Sequence, residues 1–414
     1  MSQLANAIDV GQVHFKNKMI KGAMSEALAN HAGQPNHLHL GLYEAWAKGG
    51  LGCAITGNVM VDFRAKNEPG VVVIETERDL EPLKQWAAIG KKHGMVQLVQ
   101  LSHPGRQCPK GLNKETVAPS AVPFSPALAM SFGTPRALRE DEILDIIQRF
   151  ATSAAICEKA GFEGVQLHGA HGYLISQFLS PLTNKRQDQW GGSAENRMRF
   201  LLEIYKAVRA ATSEQFIISV KLNSADFQRG GISEEDVIAT FKAIDAAGID
   251  LIEISGGSYE APAMAGVKQE KRKASTIARE AYFLEFAEKI REQVQCKLMV
   301  TGGFRTAAGM NAALEIGACD FIGMARPFAV EPDVTNRLIA GQDVRYAVDK
   351  IKTGISMIDK MAIMEVIWYA AQFKDIAEGK QPNPKLSPLK VFFHYLKGNL
   401  KAVIKGQVNS RKSA

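Results

Sequence analysis

Short runs of β-branched and other apolar residues alternate with longer segments of helical periodicity along most of the chain. The first run is Met19–Met24, followed by a helical stretch over His37–Lys48. Cys53–Val59 precedes a helix over Leu80–His93, and Val96–Ser102 precedes a long loop and a helix over Asp141–Ala160. The pattern continues with Val165–His168 and Glu195–Ala211, then Ile217–Leu222 and Ser233–Ala247. Leu251–Ser255 with Arg279–Val294, Leu298–Gly302 with Thr306–Gly317, and Phe321–Ala325 with Glu331–Ala340 bring the count to eight strand-then-helix units. Runs apolar on both sides imply a parallel sheet covered by helices. Eight units in a row predict a closed (β/α)8 TIM barrel, an α/β fold, over residues 1–345. Ser193 and Ser233 read as helix N-caps, and Gly161 and Gly248 mark helix ends.

Two further segments follow. Residues 346–380 read as a helical segment packing on the barrel, with Lys350–Gly379 as one helix carrying Met357, Met361, Met364, Ile367, Trp368 and Ala371. Residues 381–414 read as a basic amphipathic tail. Leu389, Phe392, Phe393, Leu396, Leu400, Val403 and Ile404 share one helical face, and Lys390, Lys397, Lys401 and Lys405 fall off it. Either this helix docks on the body or a partner subunit, or it makes weak contact with an anionic membrane surface.

The 414 residues carry 50 Lys and Arg against 43 Asp and Glu, a net charge of +7. Lys385, Lys390, Lys397, Lys401, Lys405, Arg411 and Lys412 lie beyond Pro384 with no acidic residue among them. The body is therefore balanced, and nucleic acid is not an expected partner. No secretory leader and no apolar run of membrane-spanning length is evident. The cysteines at positions 53, 108, 157, 296 and 319 form no C-x-x-C pair, so neither an iron–sulfur cluster nor structural zinc is expected. A reducing cytoplasm fits them best.

In such barrels the loops after the strands build the active site. After the fourth strand, His168, His171 and Tyr173 stand within six residues, with Gly169, Ala170 and Gly172 allowing a tight turn. Two imidazoles, neutral or cationic, can donate hydrogen bonds to one substrate oxygen, and a phenol can deliver a proton. The plainer readings are a metal pair or two satisfied polar histidines. A metal needs a third ligand nearby, and His103 is the only other histidine expected at a strand end. Thr301-Gly302-Gly303 and Gly323-Met324-Ala325-Arg326-Pro327 end strands seven and eight, where barrels often hold a phosphate. Glycine N–H groups and a guanidinium suit that anion.

The segment HGAHGYL, followed by QFLSPLTNKRQDQWGGSAENR, resembles the Old Yellow Enzyme family of NADH:flavin oxidoreductases. The resemblance spans roughly residues 8 to 345, essentially the whole barrel. It implies FMN at the barrel mouth and NADH or NADPH as reductant. Gly22, Ala23, Met24 and Ser25 would lie along the flavin, with Ser25 near its N5/O4 edge, where relatives often carry Cys or Thr. Gly57 matches a small residue of the family. Gln100 would meet the pyrimidine edge, and Lys221, often Arg in relatives, would place positive charge beside N1. A buried glutamine and a salt-bridged lysine are what a purely structural role would give. Gly302, Gly303, Ala325 and Arg326 would hold the phosphate, and Ser255-Gly256-Gly257 would border the cofactor. Asp188, Trp190, Glu195 and Arg197 look like loop-fixing residues. Arg106 would shape the substrate entrance or bridge loops.

The implied activity is reduction of an activated C=C bond in a small electrophilic substrate. His168 and His171 would bind its oxygen, and Tyr173 would supply a proton. The resemblance also admits a dienoyl-thioester reductase, an amine dehydrogenase-like relative and a homo-oligomer. Outside it stand a Schiff-base aldolase using Lys221 and a non-catalytic flavin-binding barrel. No G-x-G-x-x-G follows a strand, so the nicotinamide cofactor is expected over the flavin rather than in a Rossmann domain.

Overall fold

Apolar residues at every third or fourth position make the outer helices. In Glu140–Ala160, for example, Ile143, Ile146, Ile147, Phe150, Ala154 and Cys157 form the buried stripe. Gly161 closes that helix at φ 97°, a left-handed position that costs glycine little. Ser193 and Ser233 accept hydrogen bonds from the backbone N–H groups of Asn196 and Asp236, as expected of N-caps.

The computed structural model describes residues 2–225, 230–256, 283–346, 351–359 and 364–397. Eight parallel strands close on themselves. They are β1 (Met19–Lys21), β2 (Cys53–Ile55), β3 (Val96–Ser102), β4 (Gly164–Gly169), β5 (Ile217–Asn223), β6 (Leu251–Ser255), β7 (Lys297–Thr301) and β8 (Phe321–Met324). Each pairs with the next, and β8 returns to β1 through Ile322 opposite Met19 and Gly323 opposite Ile20. The helices that follow them are α1 (His37–Lys48), α2 (Leu80–His93), α3 (Glu140–Ala160), α4 (Ala194–Ala211), α5 (Glu234–Ala246), α6 (Leu284–Arg291), α7 (Ala307–Glu315) and α8 (Val334–Ile339). Of the predicted Arg279–Val294 helix, residues 279–282 lie outside the described residues.

An N-terminal hairpin, Ile8–Val10 with Val13–Phe15, contributes Val10 and Phe15 to a buried cluster with Ile20, Cys53, Leu98, Ile217, Leu251, Met299 and Phe321. This apolar filling occupies the barrel interior, so the polar interior residues gather toward the strand C-terminal ends. Two predicted strands are shorter than their apolar runs. β1 ends at Lys21, whose ammonium donates to the Ile55 carbonyl at 2.8 Å and whose successor Gly22 donates to Met324 O at 2.7 Å. β2 ends at Ile55, and Val59–Met60 then pairs with Val72–Val73.

The predicted single helix over Lys350–Gly379 is corrected. Residues 351–355 are non-helical, with Gly354 left-handed at φ 81°. The Asp359 carboxylate accepts from the Thr353 and Gly354 N–H groups, which turns the chain there. One turn, Ser356–Asp359, and α9 (Met364–Ala377) follow; Met361 lies outside the described residues. α9 packs on α1 through Phe373 and Trp46, ring centroids 5.6 Å apart. Of the tail, residues 388–397 are helical, with Val391 and Phe392 buried and Phe393 and Leu396 exposed. This docks the first part of the tail on the body. Leu400, Lys401, Val403, Ile404, Lys405, Arg411 and Lys412 lie outside the described residues. No helix among the described residues is long and apolar enough to cross a membrane.

Burial sets two histidines against protonation. His39 Nδ1 accepts from Asn36 N at 3.2 Å, and His103 Nδ1 accepts from Gly105 N at 3.1 Å. Burial pushes both down to about 4. The unfolded chain binds protons near pH 6.5, so stability is full above that pH and falls as pH drops toward 4. Each should cost about 2 kcal/mol by pH 5. The thermal midpoint should therefore fall between pH 7 and pH 5, and less steeply in His39→Gln. A midpoint flat over that range would contradict the assignment.

Candidate active site

The fourth strand delivers His168 in register with Lys221 of β5, and the chain then bends sharply. His171 at φ 60° and Gly172 at φ 76° are both left-handed. A Cβ on Gly169 would stand 2.9 Å from Leu222 Cδ2, so the turn needs glycine to lie against β5. Side chains from neighbouring segments hold the bend. Asn223 Oδ1 accepts from His171 N at 3.3 Å, Gln107 Nε2 donates to His171 O at 2.7 Å, and Gln177 Nε2 donates to Gly172 O at 2.7 Å. The rings of His168 and His171 meet edge-on with centroids 5.2 Å apart, and Tyr173 lies 4.6 Å from His168. The predicted trio is one cluster.

Burial holds both imidazoles well below their usual range, and the nearby Lys221 cation lowers both further. That direction favours the neutral form of both rings over the cationic one. The Ala170 N–H lies 3.4 Å from His168 Nδ1, so the neutral ring carries its proton on Nε2. His171 Nε2 is engaged by Ser255 Oγ at 2.9 Å. The Tyr173 hydroxyl oxygen faces the amide groups of Asn58 and Asn67, at 3.4 and 3.3 Å. Among the described residues no group of three or more His, Cys, Asp or Glu is placed to hold a metal ion.

Beneath this cluster runs a buried polar chain. Gln100 Nε2 donates to Gln166 Oε1 at 2.8 Å, and Gln166 Nε2 donates to Glu253 Oε2 at 2.9 Å. Glu253 Oε1 pairs with Lys221 Nζ at 2.9 Å, both side chains being buried. Gln100 and Lys221 thus have the protein partners that a structural role alone would give. Lys221 also acts electrostatically on both imidazoles, which ties it to the mouth. A Schiff-base lysine needs a free neutral amine, and this ion pair opposes that role.

The loop after β1 carries Gly22, Ala23, Met24 and Ser25 to the same end. Glu26 anchors it: its Oε1 accepts from Tyr43 OH at 2.7 Å and from Gly57 N at 3.0 Å. A Cβ on Gly57 would stand 2.7 Å from Met24 O, so a larger residue would push the loop away. Ser25 hydrogen-bonds the Glu68 carboxyl, which burial pushes up to about 7, with the Glu26 charge adding to the rise.

Beside that loop, Gly302 (φ 108°) and Gly303 (φ 93°) are left-handed, and the buried Thr301 hydroxyl has no hydrogen-bond partner among the described residues. Ala325 leads into a 3-10 turn over Arg326–Ala329. An unpartnered hydroxyl beside glycine backbone and a guanidinium fits the phosphate of the expected FMN. Gln100, Lys221 and the Gly22–Ser25 loop fit its ring edge and face. Arg106 bridges loops, with Nη1 near the carbonyls of Val122 and Pro123 and its guanidinium 4.2 Å over the Phe124 ring. Asp188 accepts from Trp190 N at 3.0 Å, and Arg197 donates to the carbonyls of Leu179 and Gly192, so both fix loops. Ser255 meets His171 as described, and Gly257 lies outside the described residues.

Sequence reasoning missed Glu253, Gln166, Glu26, Asn58, Asn67 and Glu68. Gln166 and Glu253 carried a visible signal, a polar residue inside an otherwise apolar strand run. The others lie on loops and become neighbours only when the barrel closes.

Residues 3–344 match the family model described as the NADH:flavin oxidoreductase / NADH oxidase family. The chain is 36% identical over 348 residues to the NADH-dependent flavin oxidoreductase iliE of Hypocrea jecorina (strain QM6a), covering 80% of this chain and 86% of that protein. Among solved structures it resembles the Old Yellow Enzyme homologue of Zymomonas mobilis, with a TM-score of 0.71 and 26% identity over 81% of this chain and 92% of that one. It also resembles a 2-naphthoyl-CoA reductase solved with 2-naphthoyl-CoA, with a TM-score of 0.78 and 26% identity over 90% of this chain and 58% of that one.

Glu253→Ala would leave the Lys221 ammonium buried without its counter-charge and Gln166 without its acceptor. The expected loss of stability is about 3–5 kcal/mol, read as a lower urea midpoint. An unchanged midpoint would show that the pair is not buried in solution.

Proposed function

The chain belongs to the NADH:flavin oxidoreductase / NADH oxidase family, and from that premise we propose that it reduces the activated C=C bond of an α,β-unsaturated carbonyl or nitro compound. It is an oxidoreductase of the Old Yellow Enzyme type that works with FMN and with NADH or NADPH. The observation that carries the reading is the neutral imidazole pair packed with a phenol at the open end of the barrel.

Bound FMN supplies hydride relay from the nicotinamide to the β-carbon of the substrate. The protein's own groups supply the rest. His168, with its proton on Nε2, donates to the carbonyl or nitro oxygen, and His171 exchanges its Ser255 contact for the same oxygen. Because both rings are neutral, they polarise that oxygen without protonating it. Negative charge then accumulates on the oxygen as hydride reaches the β-carbon. The Tyr173 hydroxyl gives its proton to the α-carbon, so the product gains one hydride and one proton across the former double bond. The Asn58 and Asn67 amides face the phenol oxygen and stabilise the charge left on it. The Lys221 cation would place positive charge near the edge of a bound flavin.

The presence of all three mouth residues in one cluster argues against a binding-only barrel. A thioester substrate is the second reading, supported by the likeness to the 2-naphthoyl-CoA reductase. Turnover of an enoyl thioester in preference to a simple enone would favour it.

Tyr173→Phe should slow the alkene half-reaction about 100-fold or more and leave flavin reduction by NADH or NADPH unchanged. His168→Ala should weaken binding of a phenol, which mimics the charged substrate oxygen, by about 10- to 100-fold. Stopped-flow absorbance separates the two half-reactions. Alkene turnover unchanged in the first variant, or phenol affinity unchanged in the second, would refute the assigned role.

A further inference from the structure

The family match ends at residue 344, yet α9 lies beyond it and reaches the rim where the phosphate is expected. Its seat is rigid. Trp368 Nε1 donates to Leu386 O at 2.9 Å, and Gln372 exchanges two hydrogen bonds with Asn383. A Cβ on Gly41 of α1 would stand 2.1 Å from Ala377 O, so α1 and the end of α9 touch backbone to backbone. α9 also packs on the 3-10 turn that begins with Arg326, whose Phe328 carbonyl accepts from Trp46 Nε1 at 3.0 Å.

On this fixed helix Tyr369 is 3% exposed, and its hydroxyl proton finds no acceptor among the described residues. Leaving such a donor buried is costly unless a ligand completes it. The groups around it are not apolar. The guanidinium groups of Arg326 and Arg305 both act on the phenol, opposed by the carboxylate of Glu365 one turn earlier. Two cations against one anion leave a net positive place beside a donor without an acceptor. Arg326 follows β8 and Arg305 follows Gly303, so both strand ends of the expected phosphate cradle converge on this tyrosine.

We propose that Tyr369 is a ligand of the FMN phosphate, donating its hydroxyl proton to a phosphate oxygen beside Arg326 and Arg305. The C-terminal helical segment is then part of the cofactor site rather than a brace on the barrel. The proposal rests on FMN being the cofactor. It also makes the site selective for the phosphorylated flavin over riboflavin, since the tyrosine and both arginines address only the phosphate.

The test is equilibrium titration of the full-length apoprotein with FMN and with riboflavin, followed by quenching of flavin fluorescence. The unaltered protein should bind FMN more tightly than riboflavin. Tyr369→Phe should weaken FMN by about 10- to 100-fold and leave riboflavin affinity unchanged. Riboflavin binding doubles as the folding control, because a helix displaced by the substitution would weaken both flavins. Arg326→Met should reduce the preference for FMN in the same direction. If the unaltered protein prefers FMN and Tyr369→Phe keeps that preference, the proposal is overturned and the cofactor reading stands. An equal loss for both flavins would make Tyr369 a packing residue and would also overturn it. If the unaltered protein binds neither flavin, the cofactor reading and the proposal fall together.

Discussion

The ion pair between Lys221 and Glu253, buried inside a closed ring of parallel strands, is the constraint on which the active end of the molecule depends. Two charges taken out of water are tolerable only with close geometry and further hydrogen bonds. Glu253 meets that condition by accepting from Gln166, which in turn accepts from Gln100. Three adjacent strands and a fourth are thereby tied at one level, from β3 through β4 to β5 and β6. Because the strands are parallel, that level lies toward the same end on every strand. The apolar filling at Ile20, Leu98, Ile217 and Phe321 takes the rest of the interior.

The same burial sets the chemistry. An imidazole taken out of water and placed near an ammonium loses its affinity for protons, and in the proposed reaction His168 and His171 act as neutral donors. Neutral donors suit an oxygen on which charge grows during reaction, since they stabilise it without ending the reaction by protonation. In that reaction the proton comes from elsewhere, and the Tyr173 phenol packs against His168 with ring centroids 4.6 Å apart. Burial pushes the Glu68 carboxyl beside Ser25 up to about 7, which puts a titratable group close to the loop expected along the flavin.

Much of this was legible in the chain. Apolar runs and helical stripes gave the barrel, because each strand and helix buries a face with a fixed period. Their ends were less legible: at the end of β1 the buried Lys21 ammonium donates to the Ile55 carbonyl, a partner more than thirty positions away. The break before α9 depends on Asp359 capturing Thr353 and Gly354, a local turn hidden inside a helical period. His168, His171 and Tyr173 were legible because they stand on one short loop. Glu26, Asn58, Asn67 and Tyr369 were not, since their meaning comes from residues on other loops or beyond the barrel. The resemblance ended with the barrel, so nothing in it pointed to the helix that follows.

The central claim is that a flavin lies across the mouth of the barrel, under two neutral imidazoles and a phenol. It is tested most directly by the visible spectrum of the purified full-length protein, followed under anaerobic conditions after FMN is supplied. The account predicts one bound flavin per chain, bleached by NADH or NADPH and restored by an α,β-unsaturated ketone. A colourless protein that takes up no flavin would contradict it, as would a bound flavin that the nicotinamides leave oxidised.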